Sequence, residues 1–434
     1  MKKQHIAKDK AKKKDVLFLC QFFYPEYAAT ATLAYDTAEA LSRAGLSVDA
    51  LCGYPKEYTT AEQLPKREIV SDIGIRRLKY IQLARKSKIG RLVNYFSFTA
   101  AMFLNIFRLR DYRSLVVYTN PPLLPWVACV AKKLFGCKLV LVVHDVYPEI
   151  AIKTQKIGAG GAIAGLMRMI NRHVYAKADR VVTLSSEMKE FIEKNRPIAK
   201  DKVCVIPNWY KDVPSVTEHE HDPSFCETYK DKFVVSYLGN MGICQDIDTL
   251  LQAAKLLRDD ESIHFLFAGH GNKVEAVKEF VKQENLTNVT VLSFLQGEAY
   301  EAALAASQLA MVSLVEGVYE LCAPSKVYAY MMAGLPILTI MDKRANVARD
   351  ALKNGFGINV ANGDALGLAA QIKELSQNES LRCEMGENAR KVFLQKYEKE
   401  VCMNQYVDMM FDTMEDGSAH HLPADSGLHV SGAI

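Results

Sequence analysis

The chain has 434 residues, of which 49% are hydrophobic and 24% charged, with 54 Lys and Arg against 50 Asp and Glu. This is enough apolar material for two to three domains of about 100–200 residues, and it excludes a disordered chain, which would be poor in hydrophobics and rich in net charge. The formal charge of +4 conceals a strong polarity: residues 1–15 carry net +5, Arg76 to Arg113 carry ten Lys/Arg against one Asp, and the last twenty residues hold three acids and no Lys or Arg.

The basic start runs into VLFLC, five apolar residues followed by Gln21. That is too short for a signal-peptide core. The ten cysteines show no C-x-x-C pair and no regular spacing, and read as reduced, mostly buried small hydrophobes. The expected location is the cytosol.

From residue 16 onward, short β-branched runs alternate with helical patterns. The spacing predicts strands at Val16–Cys20, Ser47–Cys52, Ile73–Leu78, Leu115–Tyr118, Lys138–Val143, Arg180–Leu184 and Val203–Ile206, with helices such as Thr30–Ala44 and Glu187–Lys194 between them. A second series follows at Phe233–Tyr237, His264–Ala268, Val289–Ser293, Leu309–Leu314 and Pro336–Ile340, with helices such as Asp248–Leu257 and Glu298–Ala306. Continuous apolar strands separated by helices mark parallel sheets covered on both faces. The expected fold class is α/β: two doubly wound, Rossmann-like parallel-sheet domains facing a cleft. The expected organisation is a basic tail (1–15), an N-terminal domain (16–206), a Pro-rich charged linker (207–232), a C-terminal domain (233–380), a final helix (381–414) and a disordered tail (415–434).

In open α/β sheets, ligands bind outside the carboxyl ends of the strands, so the loops after strands carry the candidate chemistry. Gln21–Tyr27, QFFYPEY, offers Tyr24 for sugar stacking and Glu26 for hydroxyl binding. Leu92–Phe107 is an uncharged run of sixteen residues with basic flanks. At about 24 Å as a helix it is short of a bilayer span, and its alternatives are a core helix or one lying on a membrane surface. Val143–Glu149, VHDVYPE, sets His144, Asp145, Tyr147 and Glu149 at a strand end, where His144 can act as acid, base or hydrogen-bond donor.

Leu238–Gln245, LGNMGICQ, places Gly239 and Gly242 where a backbone must approach a ligand closely. FAGHGN at 267–272 has Gly269 and Gly271 but not the full G-x-G-x-x-G fingerprint, which disfavours a dehydrogenase. In Ala323–Pro336, APSKVYAYMMAGLP, Pro324 starts a helix, Ser325 is placed to cap it and Lys326 adds a positive charge, together an anion site suited to a diphosphate. Asp246-Ile247-Asp248 opens a helix, where acids suit the dipole, and His219-Glu220-His221 lacks a third metal ligand. No phosphate-binding G-x-x-x-x-G-K-[ST] loop, serine-hydrolase elbow or nucleic-acid recognition motif is present.

Taken together, LGNMGICQDIDTLLQAA, FAGHGN and PSKVYAYMMAGLPI resemble the family-4 glycosyltransferases of GT-B fold, most closely the branch that builds bacterial surface polysaccharides such as capsule and lipopolysaccharide. The resemblance covers about residues 16–412. It implies a C-terminal domain that binds a nucleotide-diphosphate sugar, UDP-linked by expectation, and an N-terminal domain that binds a lipid-linked or glycan acceptor. It further implies that Gly239, Asn240, Met241 and Gly242, with Pro324, Ser325 and Lys326, hold the diphosphate. Gly269, Gly271, Ser293 and Phe294 would shape the nucleobase side, and His144 and Asp145 would face the reacting sugar. Tyr24, Glu26, Tyr147 and Glu149 would line the acceptor side.

Such enzymes typically retain anomeric configuration and use neither cofactor nor metal. The chain departs from the family where Asn240 and Gln245 replace basic residues. Ala329 replaces the second of two glutamates, for which Tyr328 or Tyr330 would substitute, while Glu316 and Glu320 are both candidates for the first. A sugar-nucleotide epimerase of the same fold and a catalytically degenerate binding protein are the alternatives. The basic run 76–113 implies peripheral contact with an anionic membrane from the cytosolic side.

Overall fold

The computed structural model describes residues 13–55, 64–83, 88–213 and 227–415. Residues 1–12 of the basic start, the His219-Glu220-His221 stretch, half of the predicted linker and the tail beyond 415 lie outside these residues.

The first sheet contains β1 (Lys14–Leu19), β2 (Val48–Gly53), β3 (Arg67–Val70), β4 (Ile73–Leu78), β5 (Tyr112–Tyr118), β6 (Lys138–Val143), β7 (Arg180–Thr183) and β8 (Val203–Val205), in the order β3-β4-β2-β1-β5-β6-β7-β8. Every pairing is parallel except β3 with β4. The central strands are buried from end to end, as in LVLVV of β6, because helices cover both faces: α1 (Ala29–Arg43), α2 (Lys88–Leu104), α3 (Leu124–Phe135), α4 (Glu149–Lys153), α5 (Ala162–Lys177) and α6 (Ser186–Asn195). In α1, Ala31, Ala34, Ala38 and Leu41 recur at helical spacing and are buried, which fixes the face turned to the sheet.

The second sheet contains β9 (Phe233–Leu238), β10 (Ile263–Ala268), β11 (Val289–Leu292), β12 (Leu309–Ser313), β13 (Ile337–Ile340) and β14 (Gly357–Val360), all parallel, in the order β11-β10-β9-β12-β13-β14. Its helices are α7 (Ile247–Leu256), α8 (Val274–Gln283), α9 (Glu298–Ala305), α10 (Lys326–Met332), α11 (Asn346–Lys353), α12 (Ala365–Gln377), α13 (Glu379–Lys396) and α14 (Lys399–Glu415). Strand order reverses between β9 and β12, so the loops after these two strands diverge from a common point, the place where such sheets take ligands. Those loops are Gly239–Asp246 and Leu314–Ser325.

The closing segment is two helices rather than the single helix expected over 381–414. At the break the backbone leaves helical geometry to pair with Tyr210: the Tyr210 N–H donates to the Tyr397 carbonyl at 3.1 Å, and the Lys399 N–H donates to the Tyr210 carbonyl at 3.0 Å. Beyond this crossing, α14 packs on α1 of the first half. Its Cys402, Met403, Tyr406 and Met410 join the core of β1 and β2, and the Lys399 ammonium sits 2.8 Å from Asp36.

Across the cleft the halves touch directly. The Val146 N–H donates to the Leu321 carbonyl at 2.9 Å, and the Glu187 carboxylate accepts the Asn346 N–H at 2.8 Å.

Candidate functional site

The loop after β9 is built to lie against the loop after β10. Gly269 has φ +157°, and a side chain there would meet the Gly239 carbonyl oxygen at 1.8 Å; at Gly271, φ +132°, it would meet the Met241 carbonyl at 2.4 Å. Two backbone bonds close the pair: Met241 N–H to the His270 carbonyl at 2.7 Å, and Lys273 N–H to the Met241 carbonyl at 3.0 Å. Gly269 and Gly271 therefore let two strand-end loops interlock. Beyond them, Phe294 is exposed beside Ser293, and the His270 ring meets it edge-on at 4.8 Å.

Lys326 enters this loop from α10. Its Nζ donates to the Asn240 carbonyl at 3.3 Å and stands 3.2 Å from the centroid of the Tyr237 ring, and its Cε passes within 3.6 Å of where a Gly239 side chain would begin. Burial pushes the ammonium well below its ordinary value, so this charge lacks a compensating anion. Lys326 also helps burial hold His270 below its usual range.

Several site expectations are placed differently. Ser325 lies at the start of α10 but its side chain makes no cap bond. Gln245, which stands in place of the family's basic residue, holds the loop itself: its Oε1 accepts the Gly242 N–H at 2.9 Å. Tyr330 is committed to the sheet, with its hydroxyl against the Leu238 backbone at 2.7 Å, and Tyr328 is buried, its ring 4.8 Å from that of Tyr397. Neither stands as a free ribose ligand. Pro324 and Tyr328 line a small recess between the halves with Glu187 and Asn346. Glu316 is exposed and Glu320 half-buried, on the loop after β12. Asp246 is the cap of α7, accepting the Thr249 N–H at 3.1 Å, and this accounts for its place in the D-x-D.

In the first half, the β6 end turns neighbouring side chains apart. The His144 ring packs edge-on against Tyr118 at 5.1 Å, and burial alone lowers its pKa to about 4, so it is neutral at pH 7. Asp145 lies toward the other half: its backbone bridges Cys322. Burial raises its pKa to about 6, offset in part by Lys156.

The acceptor-side expectations meet two structural carboxylates. Glu26 is buried and accepts the Phe23 N–H at 3.2 Å, shaping its own loop. Glu149 forms an ion pair with Arg196 at 2.5 Å, and Arg196 also donates to the Tyr147 carbonyl at 3.1 Å. Tyr24 remains exposed, with its ring 5.0 Å from Tyr35.

Two features escaped the sequence reading. Arg77, counted among the surface charges, is fully buried; it forms an ion pair with Glu68 and donates to the carbonyls of Tyr24, at 2.9 Å, and Pro65, at 3.0 Å. Lys153 reaches from α4 across the cleft, its Nζ 3.0 Å from where a Gly317 side chain would begin. No sequence signal marks the first; a lysine one turn beyond VHDVYPE was the available cue for the second.

Comparison with known proteins identifies this arrangement. Residues 29–209 match the family described as glycosyl transferase 4-like domain, and residues 220–392 match glycosyl transferases group 1. WbjE of Pseudomonas aeruginosa, named a probable glycosyltransferase, is 29% identical over 290 residues, 66% of this chain and 72% of its own. WcaI of Escherichia coli K12, whose name assigns it as a glycosyl transferase to colanic acid biosynthesis, is 26% identical over 258 residues, 57% of this chain and 62% of its own. Among solved structures, HepE of Anabaena in complex with UDP superposes with a TM-score of 0.67 at 15% identity, over 92% of this chain and all of that one.

Proposed function

The chain belongs to the family-4 glycosyltransferases of GT-B fold, and on that premise we propose that it moves a sugar from a UDP-linked donor to a lipid-linked precursor of a surface polysaccharide, such as capsule or lipopolysaccharide. The observation that carries the donor side is Lys326, a desolvated ammonium held over Tyr237 at the mouth of the Gly239–Gly242 loop. HepE, of like fold, is described in complex with UDP. A diphosphate laid along this loop meets Lys326, whose charge stabilises the departing UDP in place of a metal. The bond from the sugar's anomeric carbon to the phosphate oxygen breaks, the acceptor hydroxyl bonds to that carbon with retention, and its proton passes to the leaving phosphate. Neutral His144 and the Asp145 carboxylate border the sugar.

The acceptor side rests on α2. Phe98 and Met102 face the core, whereas Ile89, Leu92, Phe96 and Phe103 are exposed on the other flank. Phe103 stacks on exposed Trp126 of α3 at 5.8 Å, extending the apolar ridge. Arg108, Arg110 and Lys133 lie exposed beside it. Apolar and aromatic side chains edged by cations match an anionic bilayer surface, and no described helix is long and apolar enough to cross one. The enzyme would work on the cytosolic face, where lipid-linked acceptors are presented.

The test is a panel of nucleotide sugars assayed for UDP release with and without lipid-linked acceptors. Acceptor-dependent release supports the transfer. Tight UDP binding with no turnover on any acceptor would leave a binding protein instead.

A further inference from the structure

We infer that Arg77 is a positioning residue for the acceptor side of the cleft: its buried guanidinium clamps the loop after β1, which carries Tyr24, to the segment that enters β3. The part of this inference that concerns turnover rests on the transfer proposed above; the clamp itself does not.

Arg77 breaks the pattern of its own strand. Ile73, Ile75 and Arg77 share one face of β4 by strand alternation, and the two isoleucines join the core that α1 covers. The third position holds a guanidinium that is fully buried. Burying a charge is costly unless its polar atoms are satisfied, yet the Arg77 Nε has no hydrogen-bond partner among the described residues. An apolar side chain would serve the core better.

What the guanidinium supplies instead is reach. One terminal nitrogen donates to the Tyr24 carbonyl at 2.9 Å and pairs with Glu68 near the start of β3, and the other donates to the Pro65 carbonyl at 3.0 Å. A planar fork of fixed geometry thus ties the loop after β1 to the entry of β3.

The clamped loop stands at the edge of the sheet where the halves meet. β1 and β6 run parallel with β5 between them, so their carboxyl ends share one edge and lie about 10 Å apart. The end of β6 carries Asp145, whose backbone bridges Cys322 of the other half. A glycan that reaches this point passes the loop after β1, where the Tyr24 ring is exposed.

The loop is also built to move as a unit. The Glu26 N–H donates to the Phe23 carbonyl at 3.0 Å and the Glu26 carboxylate accepts the Phe23 N–H at 3.2 Å, which fixes its internal shape. Buried Phe23 anchors the inner side of the turn, and the Arg77 bond to the Tyr24 carbonyl fixes the outer side. Without that bond the Tyr24 ring shifts against the sheet, and a misplacement of about 1 Å is enough to be felt in turnover.

The experiment compares Arg77→Lys, Tyr24→Ala and the double variant, each confirmed folded by circular dichroism. Arg77→Lys keeps a charge for Glu68 but has no fork to span Tyr24 and Pro65. Donors and acceptors are drawn from a panel of nucleotide sugars and polyprenyl diphosphate-linked sugars. Each single variant should raise the acceptor KM about tenfold with little change in the donor KM, and the double variant should add nothing further, because Arg77 acts through Tyr24. Hydrogen exchange read by mass spectrometry should quicken across residues 21–27 in Arg77→Lys and stay unchanged across β6. A loss spread equally over both substrates, or additive losses in the double variant, overturns the positioning role. Unchanged exchange across 21–27 overturns the clamp. Absence of turnover with every donor and acceptor sinks the transfer reading instead, and hydrogen exchange still decides the clamp.

Discussion

The Lys326 ammonium stands 3.2 Å from the centroid of the Tyr237 ring, where burial pushes its pKa down. The ring face stabilises the charge in the absence of ligand, and a diphosphate would do so more strongly. Lys326→Ala should lower kcat/KM for the nucleotide sugar about 100-fold, the scale of one preorganised charge at a leaving group. Lys278→Ala, on the exposed outer face of α8 and paired with Glu275, should have little effect. Steady-state assays of the two variants decide it: equal losses would remove Lys326 from the chemistry.

A second expectation concerns the interlocked loops. Gly269→Ala would place a methyl group 1.8 Å from the Gly239 carbonyl on a backbone at φ +157°. The loops must separate, and unfolding free energy should fall by about 2–4 kcal/mol. Gly297 also has a positive φ, +55°, but nothing lies within 4 Å of a side chain there, so Gly297→Ala isolates the backbone cost and should be milder. Urea unfolding of both variants separates the clash from the backbone term, and equal losses would discount the interlock.

Much of this arrangement is legible without coordinates, and what escapes does so for identifiable reasons. The apolar run Lys138–Val143 is β6 to the residue, because a strand buried on both faces writes itself as continuous β-branched sequence. In contrast β3 is an edge strand of four residues that alternates between exposed and half-buried, and β14 opens on a glycine; neither composition announces a strand. Gly269 and Gly271 are legible as positions of close backbone approach, because that need constrains residue type, but what approaches them is the Gly239–Met241 loop. The buried role of Arg77 depends on the carbonyls of Tyr24 and Pro65, and the Val315 N–H bonds to the Cys244 carbonyl at 2.8 Å from a different loop. Such pairings come from topology and leave no local trace.

The exposed ridge on α2 predicts how the protein meets lipid. Phe96→Ser with Phe103→Ser removes two exposed rings without touching the buried Phe98 and Met102. Sedimentation with anionic vesicles should fall about tenfold or more, since each buried aromatic adds roughly 1.5–3 kcal/mol. Binding of the parent protein should weaken with salt, because Arg108 and Arg110 act through screened charge. Binding to neutral and anionic vesicles alike, indifferent to salt and to both substitutions, would refute the surface.

The two residues at the end of β6 make opposite contributions to stability over the same pH range. The folded-state pKa of Asp145 is raised from 3.8 to about 6, so its contribution is fully present below about pH 4 and is lost as pH rises through 6. That of His144 is lowered from 6.5 to about 4; its contribution is present above 6.5 and is lost as pH falls toward 4. Each shift amounts to roughly 3 kcal/mol, with Lys156 the charge facing Asp145 and the Tyr118 ring facing His144. In the parent protein these two slopes nearly cancel. Asp145→Asn should therefore leave a stability that rises between pH 4 and 6.5 and exceeds the parent at pH 8, whereas His144→Gln should leave one that falls from pH 4 to 6. Urea midpoints at pH 4.5, 5.5 and 8 read the sign directly, and parallel profiles for both variants and the parent would show that neither group is desolvated in the folded protein.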